Sequence, residues 1–253
     1  MMNVLKKNKK KIVFILVLMV AVAVYIFNPY KLEYAGYQSK VWAHRVNSLE
    51  KLNYTQKFYQ GIELDLVFDS ISNTFDVNHP PAKSANLNLD TYFSKINNKD
   101  LKLWLDFKNL SENNAEKSAA ILDLLTKKYS LKNENILVES TAMHNLQTFK
   151  NKGFKTSFYL PQLVGLTDES KLVPTVDSIK QLLIQYPTTG ISSNVNAYEV
   201  LNKYFKNERK FLWHMYKPYS RHQIKNYRDF RKYVSDATVE AVLIKVALPV
   251  GNR

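Results

Sequence analysis

The sequence lacks cysteine altogether. That excludes disulfides, thiolate metal sites, a cysteine nucleophile and a lipidated N-terminal cysteine, and it leaves no redox clue to the compartment. Glycine is scarce, at six residues in 253. No glycine-rich loop follows the first strand candidate, which weighs against a nucleotide-binding doubly wound sheet. Ser192 and Ser193, in "GISSNV", lack the glycine pair of a nucleophile elbow, so a serine hydrolase is a poor fit. No internal repeat, low-complexity block or obvious linker interrupts residues 40–253. Acid is outweighed by base, with a net charge of +14. Such an excess favours anionic partners: phosphate esters, lipid head groups or cell-wall polymers. No basic cluster interleaved with stacking aromatics accompanies it, so nucleic acid is not expected. The oligomeric state is not legible.

What is present begins at the N-terminus. Residues 1–11, "MMNVLKKNKKK", carry five lysines and no acid, and residues 12–30, "IVFILVLMVAVAVYIFNPY", carry no charge. A helix over 12–30 spans about 28 Å, close to a bilayer core of ~30 Å. The expected organisation is a basic cytoplasmic tail over 1–11, a transmembrane anchor over 12–30 and a single domain over 31–253. Lysines before the span keep that end inside, so the domain lies outside the cytoplasm, periplasmic or at the cell surface. A cleaved signal ending near Ala21-Val22-Ala23 is the rival reading. The apolar run continues through Val24-Tyr25-Ile26-Phe27, which fits a retained anchor better.

Beyond the anchor, short β-rich runs alternate with helical stretches. The strand candidates are 41–45, 61–69, 101–108, 135–140, 155–160, 190–195, 210–216 and 241–248. The helical candidates are 48–59, 89–97, 112–129, 142–151, 170–185, 197–206 and 221–234. In the third helix, Ala115, Ala119, Leu122 and Leu125 share one face with Tyr129, and Ser111 suits its start. Eight strands with helices between them predict an α/β fold, a parallel (β/α)8 barrel of the TIM type. An open doubly wound sheet shows the same alternation. Residues 31–40 are expected to cover the bottom of the barrel.

In such a barrel, chemistry collects at the C-terminal ends of the strands. The first strand candidate ends in His44-Arg45. In the second, Glu63 and Asp65 are two apart and share one face, while Ile62, Leu64 and Leu66 take the other. In the third, Asp106 and Lys108 repeat the pattern against Leu103, Leu105 and Phe107. The fourth ends near Glu139. Three carboxylates on neighbouring strands make an oxygen-rich site for Mg²⁺ or Ca²⁺. Without a cation, their burial costs several kcal/mol. His79, in "VNHPP", follows a short extended piece, Thr74-Phe75-Asp76-Val77, and can reach the same mouth. Two imidazoles suit proton transfers, and a cation with Arg45 and Lys108 suits the charge that builds on a phosphodiester in reaction. A salt-bridge network on a solvated sheet is the bland alternative. A glycosidase would also want paired carboxylates but has less need of the Arg and Lys.

The ordered set "AHR…GIELDL…VNHP…LDFK" resembles the glycerophosphodiester phosphodiesterase-like barrel superfamily. Within it, "WAHRVNSLEKL", "IELDL", "HPP" and "LDFK" resemble the menorin family over residues 41–110. The resemblance implies His44 and His79 as acid/base residues, Glu63, Asp65 and Asp106 as divalent-metal ligands, and Arg45 and Lys108 as phosphate-binding cations. Asn47 matches an asparagine of the menorin start and is expected to position ligand or metal. Glu139 has no firm counterpart and is only an extra candidate ligand. Three positions depart from the superfamily pattern: Val46 replaces a glycine, Pro80 an aspartate, and Asp106 a longer glutamate.

Other candidates carry less. His144 reads as a surface or capping residue and His222 as exposed on a helix. His214 could face the barrel mouth, and Asn194 could reach the site. Of Trp213 and Tyr216, one could line the pocket. Two readings follow: a membrane-anchored, metal-dependent phosphodiesterase acting on an anionic phosphodiester or lipid head group, or a non-catalytic extracellular binding module that keeps the pocket.

Overall fold

In the computed structural model, residues 2–27, 34–214 and 223–248 are described, with side chains over 9–22, 34–214 and 227–248. Eight parallel strands close into a barrel: β1 (Val41–His44), β2 (Gly61–Asp69), β4 (Lys102–Phe107), β5 (Ile136–Ser140), β6 (Lys155–Tyr159), β7 (Gly190–Asn194), β8 (Lys210–Trp213) and β9 (Val239–Lys245). Closure comes from β1, which pairs with β9 along its whole length and with β2 at Ala43 and Ile62. The expected parallel barrel is borne out. A ninth strand, β3 (Thr74–Val77), lies outside the circle and pairs antiparallel with the far half of β2. β2 is therefore long: its first half belongs to the barrel, and its second half carries a hairpin above the mouth.

Helices α2 (Leu49–Thr55), α3 (Leu89–Ser94), α4 (Glu112–Lys128), α5 (Met143–Asn151), α6 (Glu169–Gln185), α7 (Tyr198–Tyr204) and α8 (Gln223–Ser235) fill the connections. α4 begins where Ser111 predicts, with the Asn114 side chain accepting from the Ser111 N–H at 2.9 Å. Its buried face holds Ala115, Ala119 and Leu122. The last strands differ slightly from expectation: β8 ends at Trp213, and β9 starts two residues earlier, at Val239.

Two apolar layers follow from strand alternation. Ile62, Leu64, Leu66, Leu103, Leu105 and Phe107 point outward and are buried beneath the helices. Trp42, Trp104, Leu137, Phe211, Ala241 and Leu243 point inward and plug the barrel. Trp42 needs Gly61 beside it, because a Cβ there would lie 2.2 Å from the indole. Burying rings of this size contributes about 4–6 kcal/mol each at ~25 cal/mol/Å². With the lower interior filled, inward-facing polar groups of β1, β2, β4 and β5 can gather only above the plug.

The N-terminal helix, α1, runs Met2–Phe27. Among the described residues no helix is long and apolar enough to cross a membrane, so the expected span over 12–30 is not found there. Its last part, residues 28–30, lies outside the described residues. Of the segment expected to cover the barrel bottom, 31–33 lie outside the described residues, and 34–40 run past α8 to the start of β1. Tyr34 stacks at 5.3 Å on Phe230, and Arg231 Nη1 donates to the Ala35 carbonyl at 2.6 Å. Ser39 and Lys40 reach the lower rim: the Ser39 carbonyl accepts from Trp42 Nε1 at 3.0 Å, and Lys40 Nζ donates to the Asp236 carbonyl at 2.7 Å.

Candidate active site

The site is assembled first by a turn. Beyond His44 the backbone enters the left-handed region at Arg45, with φ 53°, a conformation sparsely populated by non-glycine residues. Two N–H groups then face β2: Arg45 N donates to Glu63 Oε2 at 2.6 Å, and Val46 N to the Glu63 carbonyl at 2.7 Å. The carbonyls of His44 and Arg45 face the opposite way and accept from Lys51 Nζ at 2.7 and 2.8 Å. Next comes Asn47, whose amide clasps Asp65: Nδ2 donates to Oδ2 at 2.6 Å, and Oδ1 accepts from the Asp65 N–H at 3.0 Å. The turn thus grips the two inward-facing acids of β2, Glu63 and Asp65.

Glu63, Asp65 and Asp106 each offer a carboxylate oxygen, and the three atoms lie within 4.8 Å of one another. Parallel pairing explains the convergence, since Asp65 stands opposite Asp106 and Asp106 opposite Glu139. Lys108 bridges two of the acids, with Nζ 2.8 Å from Asp65 Oδ1 and a second bond to Asp106 Oδ2. His79 Nδ1 lies 2.8 Å from Asp65 Oδ1, and its Nε2 lies 3.1 Å from Arg45 Nη2. A guanidinium only donates, so Nε2 accepts and the ring proton sits on Nδ1, aimed at Asp65. The hairpin makes this possible: β3 returns the chain toward the mouth, and Asn78 N donates to the Asp65 carbonyl at 3.1 Å. His44 is buried, with Nε2 3.6 Å from Glu63 Oε2 and Nδ1 unpartnered among the described residues.

These placements set the electrostatics. Burial, then the charges of Asp65 and Asp106, hold the Glu63 carboxyl well above the usual range. Burial and then Asp106 do the same to Glu139. Burial raises Asp106 against the pull of Lys108. Asp65 goes the other way: burial opposes its charge, but Lys108, Asn47 and His79 outweigh it and lower the pKa. For Lys108, the two acids outweigh burial and keep the ammonium charged. Burial, then Arg45, depresses His44 to about 3, so its imidazole is neutral at neutral pH.

A cavity of about 120 Å³ joins the group, lined by His44, Arg45, Glu63, Asp65, His79, Asp106, Lys108 and Glu139 together with Trp104, Tyr159, Trp213 and Leu243. Eight of the nine residues singled out from the sequence therefore share one cavity. Asn47 does not line it and spends its amide on Asp65. Two residues enter that the sequence pattern did not single out. Tyr159, at the end of β6, lines the far wall 6.5 Å from Trp213, and Lys51 supports the turn from behind. An inward position on β6 could have pointed to Tyr159; nothing local marks Lys51. Trp213 is the aromatic that lines the pocket, whereas Tyr216 lies outside the described residues. His214 turns instead toward Phe230 of α8, at 6.2 Å, and burial lowers its pKa to about 4. Asn194 caps the following turn by accepting from Asn196 N at 2.8 Å. His144 is exposed on α5. His222 lies outside the described residues. Ser193 donates to the Leu160 carbonyl at 3.0 Å, and Ser192 is buried.

The donor set fits a hard cation. It is all carboxylate, and separations of no more than 4.8 Å let the three oxygens sit around one hard cation such as Ca²⁺, whose ligands stand at roughly 2.3–2.6 Å. Glu63 Oε1 is buried and has no hydrogen-bond partner among the described residues, which is costly for a carboxylate unless something cationic meets it.

No protein-family model matches this chain, and no curated protein matches it. Solved structures do. A glycerophosphodiester phosphodiesterase from Parabacteroides distasonis aligns with a TM-score of 0.58 at 14% identity, over 81% of this chain and 92% of its own. One from Thermotoga maritima aligns at 0.54 and 16%, over 80% and 92%. A phosphodiesterase from Oleispira antarctica, in complex with the product sn-glycerol-3-phosphate, aligns at 0.55 and 12%, over 83% and 94%. The chain therefore has the barrel fold of the glycerophosphodiester phosphodiesterases.

Proposed function

We propose that this protein is a membrane-anchored phosphodiesterase that works outside the cytoplasm with Mg²⁺ or Ca²⁺ on glycerophosphodiester-like or phospholipid-like substrates. One observation carries the reading: three carboxylates converge at the barrel mouth between two imidazoles, with Arg45 and Lys108 beside them. The shared fold supports the reaction class, and the motif resemblance over residues 41–110 supports the menorin branch. Glu63, Asp65 and Asp106 would hold the cation, with Glu139 as an outer candidate; bound there, the ion offsets the negative charge that builds on a phosphoryl group.

The protein's own groups divide the remaining work. Arg45 is exposed and the Lys108 side chain is 23% exposed, so both can meet the non-bridging oxygens of the substrate. As Arg45 moves onto the phosphate it leaves His79 Nε2, freeing that nitrogen. That nitrogen takes up a proton from solvent, and His79, backed by Asp65, then gives it to the departing alcohol oxygen. His44 is neutral at neutral pH and its Nδ1 has no hydrogen-bond partner among the described residues, so it accepts the proton of the attacking water. The water oxygen bonds phosphorus, the phosphorus–alkoxy bond breaks, and the products are a phosphate monoester and an alcohol. Association with lipid is supported by α1, where side chains from Ile12 to Val20 are 51–69% exposed; an apolar surface of that extent calls for a cover.

The test uses the full chain in detergent micelles, with bis(p-nitrophenyl) phosphate and glycerophosphodiesters as substrates. Turnover should require Mg²⁺ or Ca²⁺, vanish with chelator and fall by at least about 10²-fold in His44→Ala and His79→Ala. Absence of turnover with either ion would refute the enzyme reading. The binding-module alternative draws on Lys108, which already neutralises two of the acids; it predicts saturable phosphodiester binding with no product.

A further inference from the structure

Lys51 stands behind the site, in the first turn of α2, and its role extends past satisfying two carbonyls. In an extended strand, successive carbonyls point to opposite sides. Those of His44 and Arg45 instead point together, because Arg45 is left-handed. The single ammonium of Lys51 meets both, at 2.7 and 2.8 Å. On the other side of the same turn, the N–H groups of Arg45 and Val46 point together at Glu63, at 2.6 Å to its carboxylate and 2.7 Å to its carbonyl. The turn is therefore clamped between a cation and an acid. It also directs the Arg45 side chain onto His79 Nε2, at 3.1 Å. α2 places the lysine: Ser48 caps the helix by accepting from Lys51 N at 3.2 Å, so the side chain leaves from a fixed origin.

We infer that Lys51 is a positioning residue for both halves of the site: by holding the left-handed turn at Arg45 it fixes the Glu63 carboxylate and the Arg45 guanidinium. It touches neither substrate nor cation. The inference rests on the proposed phosphodiesterase reading for its kinetic consequence, and on geometry alone for its structural one. Removing the ammonium leaves two carbonyls side by side with no donor. The turn then relaxes toward negative φ, and the Arg45 N–H swings off Glu63.

The experiment is a double-mutant cycle on the full chain in detergent, read by calorimetric titration with Ca²⁺ and by kcat and KM for a glycerophosphodiester. Lys51→Met keeps the stem and should weaken Ca²⁺ about tenfold, raise KM and lower kcat. Lys51→Arg, which keeps the charge and its donors, should recover most of the affinity. In an Arg45→Gly background the turn needs no clamp, since glycine adopts positive φ freely. There the effect of Lys51→Met on Ca²⁺ should shrink below about twofold. Wild-type affinity in Lys51→Met, or an undiminished effect in the Arg45→Gly background, overturns the inference. If Lys51→Met does not fold, Lys51→Gln serves in the same cycle. Should the wild type bind Ca²⁺ without turnover, the phosphodiesterase reading fails and the affinity cycle still decides. Should it bind no Ca²⁺ at all, a crystal structure of the variant decides, and a turn unchanged at Arg45 refutes the clamp.

Discussion

Replacing Lys108 by methionine isolates the charge balance of the site. The ammonium bridges Asp65, whose side chain is 2% exposed, and Asp106, at 21%. Methionine preserves most of the stem volume and removes only the charge and its donors. Taking one partner from a buried pair costs about 3–5 kcal/mol. Asp106 softens that loss, because burial already favours its protonated form, so about 3 kcal/mol is the working figure. For a domain of this size that lowers Tm by roughly 6–12 °C. A divalent cation should then replace the missing charge. At a hundred times its Kd, Ca²⁺ restores about 2.7 kcal/mol, nearly the whole loss. In the wild type the same addition should raise Tm less, since Lys108 repels the incoming ion. Scanning calorimetry with and without Ca²⁺ reads both effects. A Lys108→Met protein that melts with the wild type in chelator, or one that Ca²⁺ leaves unmoved, would show that these carboxylates neither need nor hold a cation.

Three further variants probe the same architecture. Glu63→Gln keeps an acceptor for the Arg45 N–H and removes an ionisable carboxyl whose pKa burial raises. A raised folded pKa means stability lost as pH climbs above the unfolded value, so this variant should melt higher than wild type at pH 8 in chelator and gain nothing from Ca²⁺. His44, depressed from 6.5 to about 3, acts with the opposite sign. The unfolded chain takes up its proton first, so stability falls as pH drops from 6.5 toward 3, by at most about 1.4 kcal/mol per pH unit. His44→Gln should flatten that limb in urea titrations across the window; an unchanged slope counts against a neutral buried imidazole. Gly61→Ala drives a methyl group into the Trp42 indole and should cost about 1–3 kcal/mol, read as an earlier urea midpoint with an unchanged slope.

The residues that make the site were legible because strand alternation is strict. Glu63 and Asp65 had to share a face, with Ile62 and Leu64 on the other, and the same rule placed Asp106. Eight runs of β-branched and apolar residues between helices predicted the closed barrel, and the early acids and histidines predicted which mouth would hold the chemistry. Local pattern reached that far because a two-residue period and a helical face are properties of the chain itself.

Other features depended on parts of the chain meeting in space. Strand pairing put Asp106 opposite Asp65 and Glu139 opposite Asp106, and only that lateral order could bring the acids within reach of one ion. The hairpin of β2 and β3 carried His79 back over the mouth. Lys51 looked like any helix-surface lysine until the left-handed Arg45 turned two carbonyls toward it. Tyr159 and Trp213 came together from separate strands, while His214, one residue beyond Trp213, turned outward to α8. Sequence by itself determined which side chains face inward, because backbone geometry alternates them; tertiary structure decided which became neighbours, because barrel closure and turn conformation set distances that no local spacing encodes.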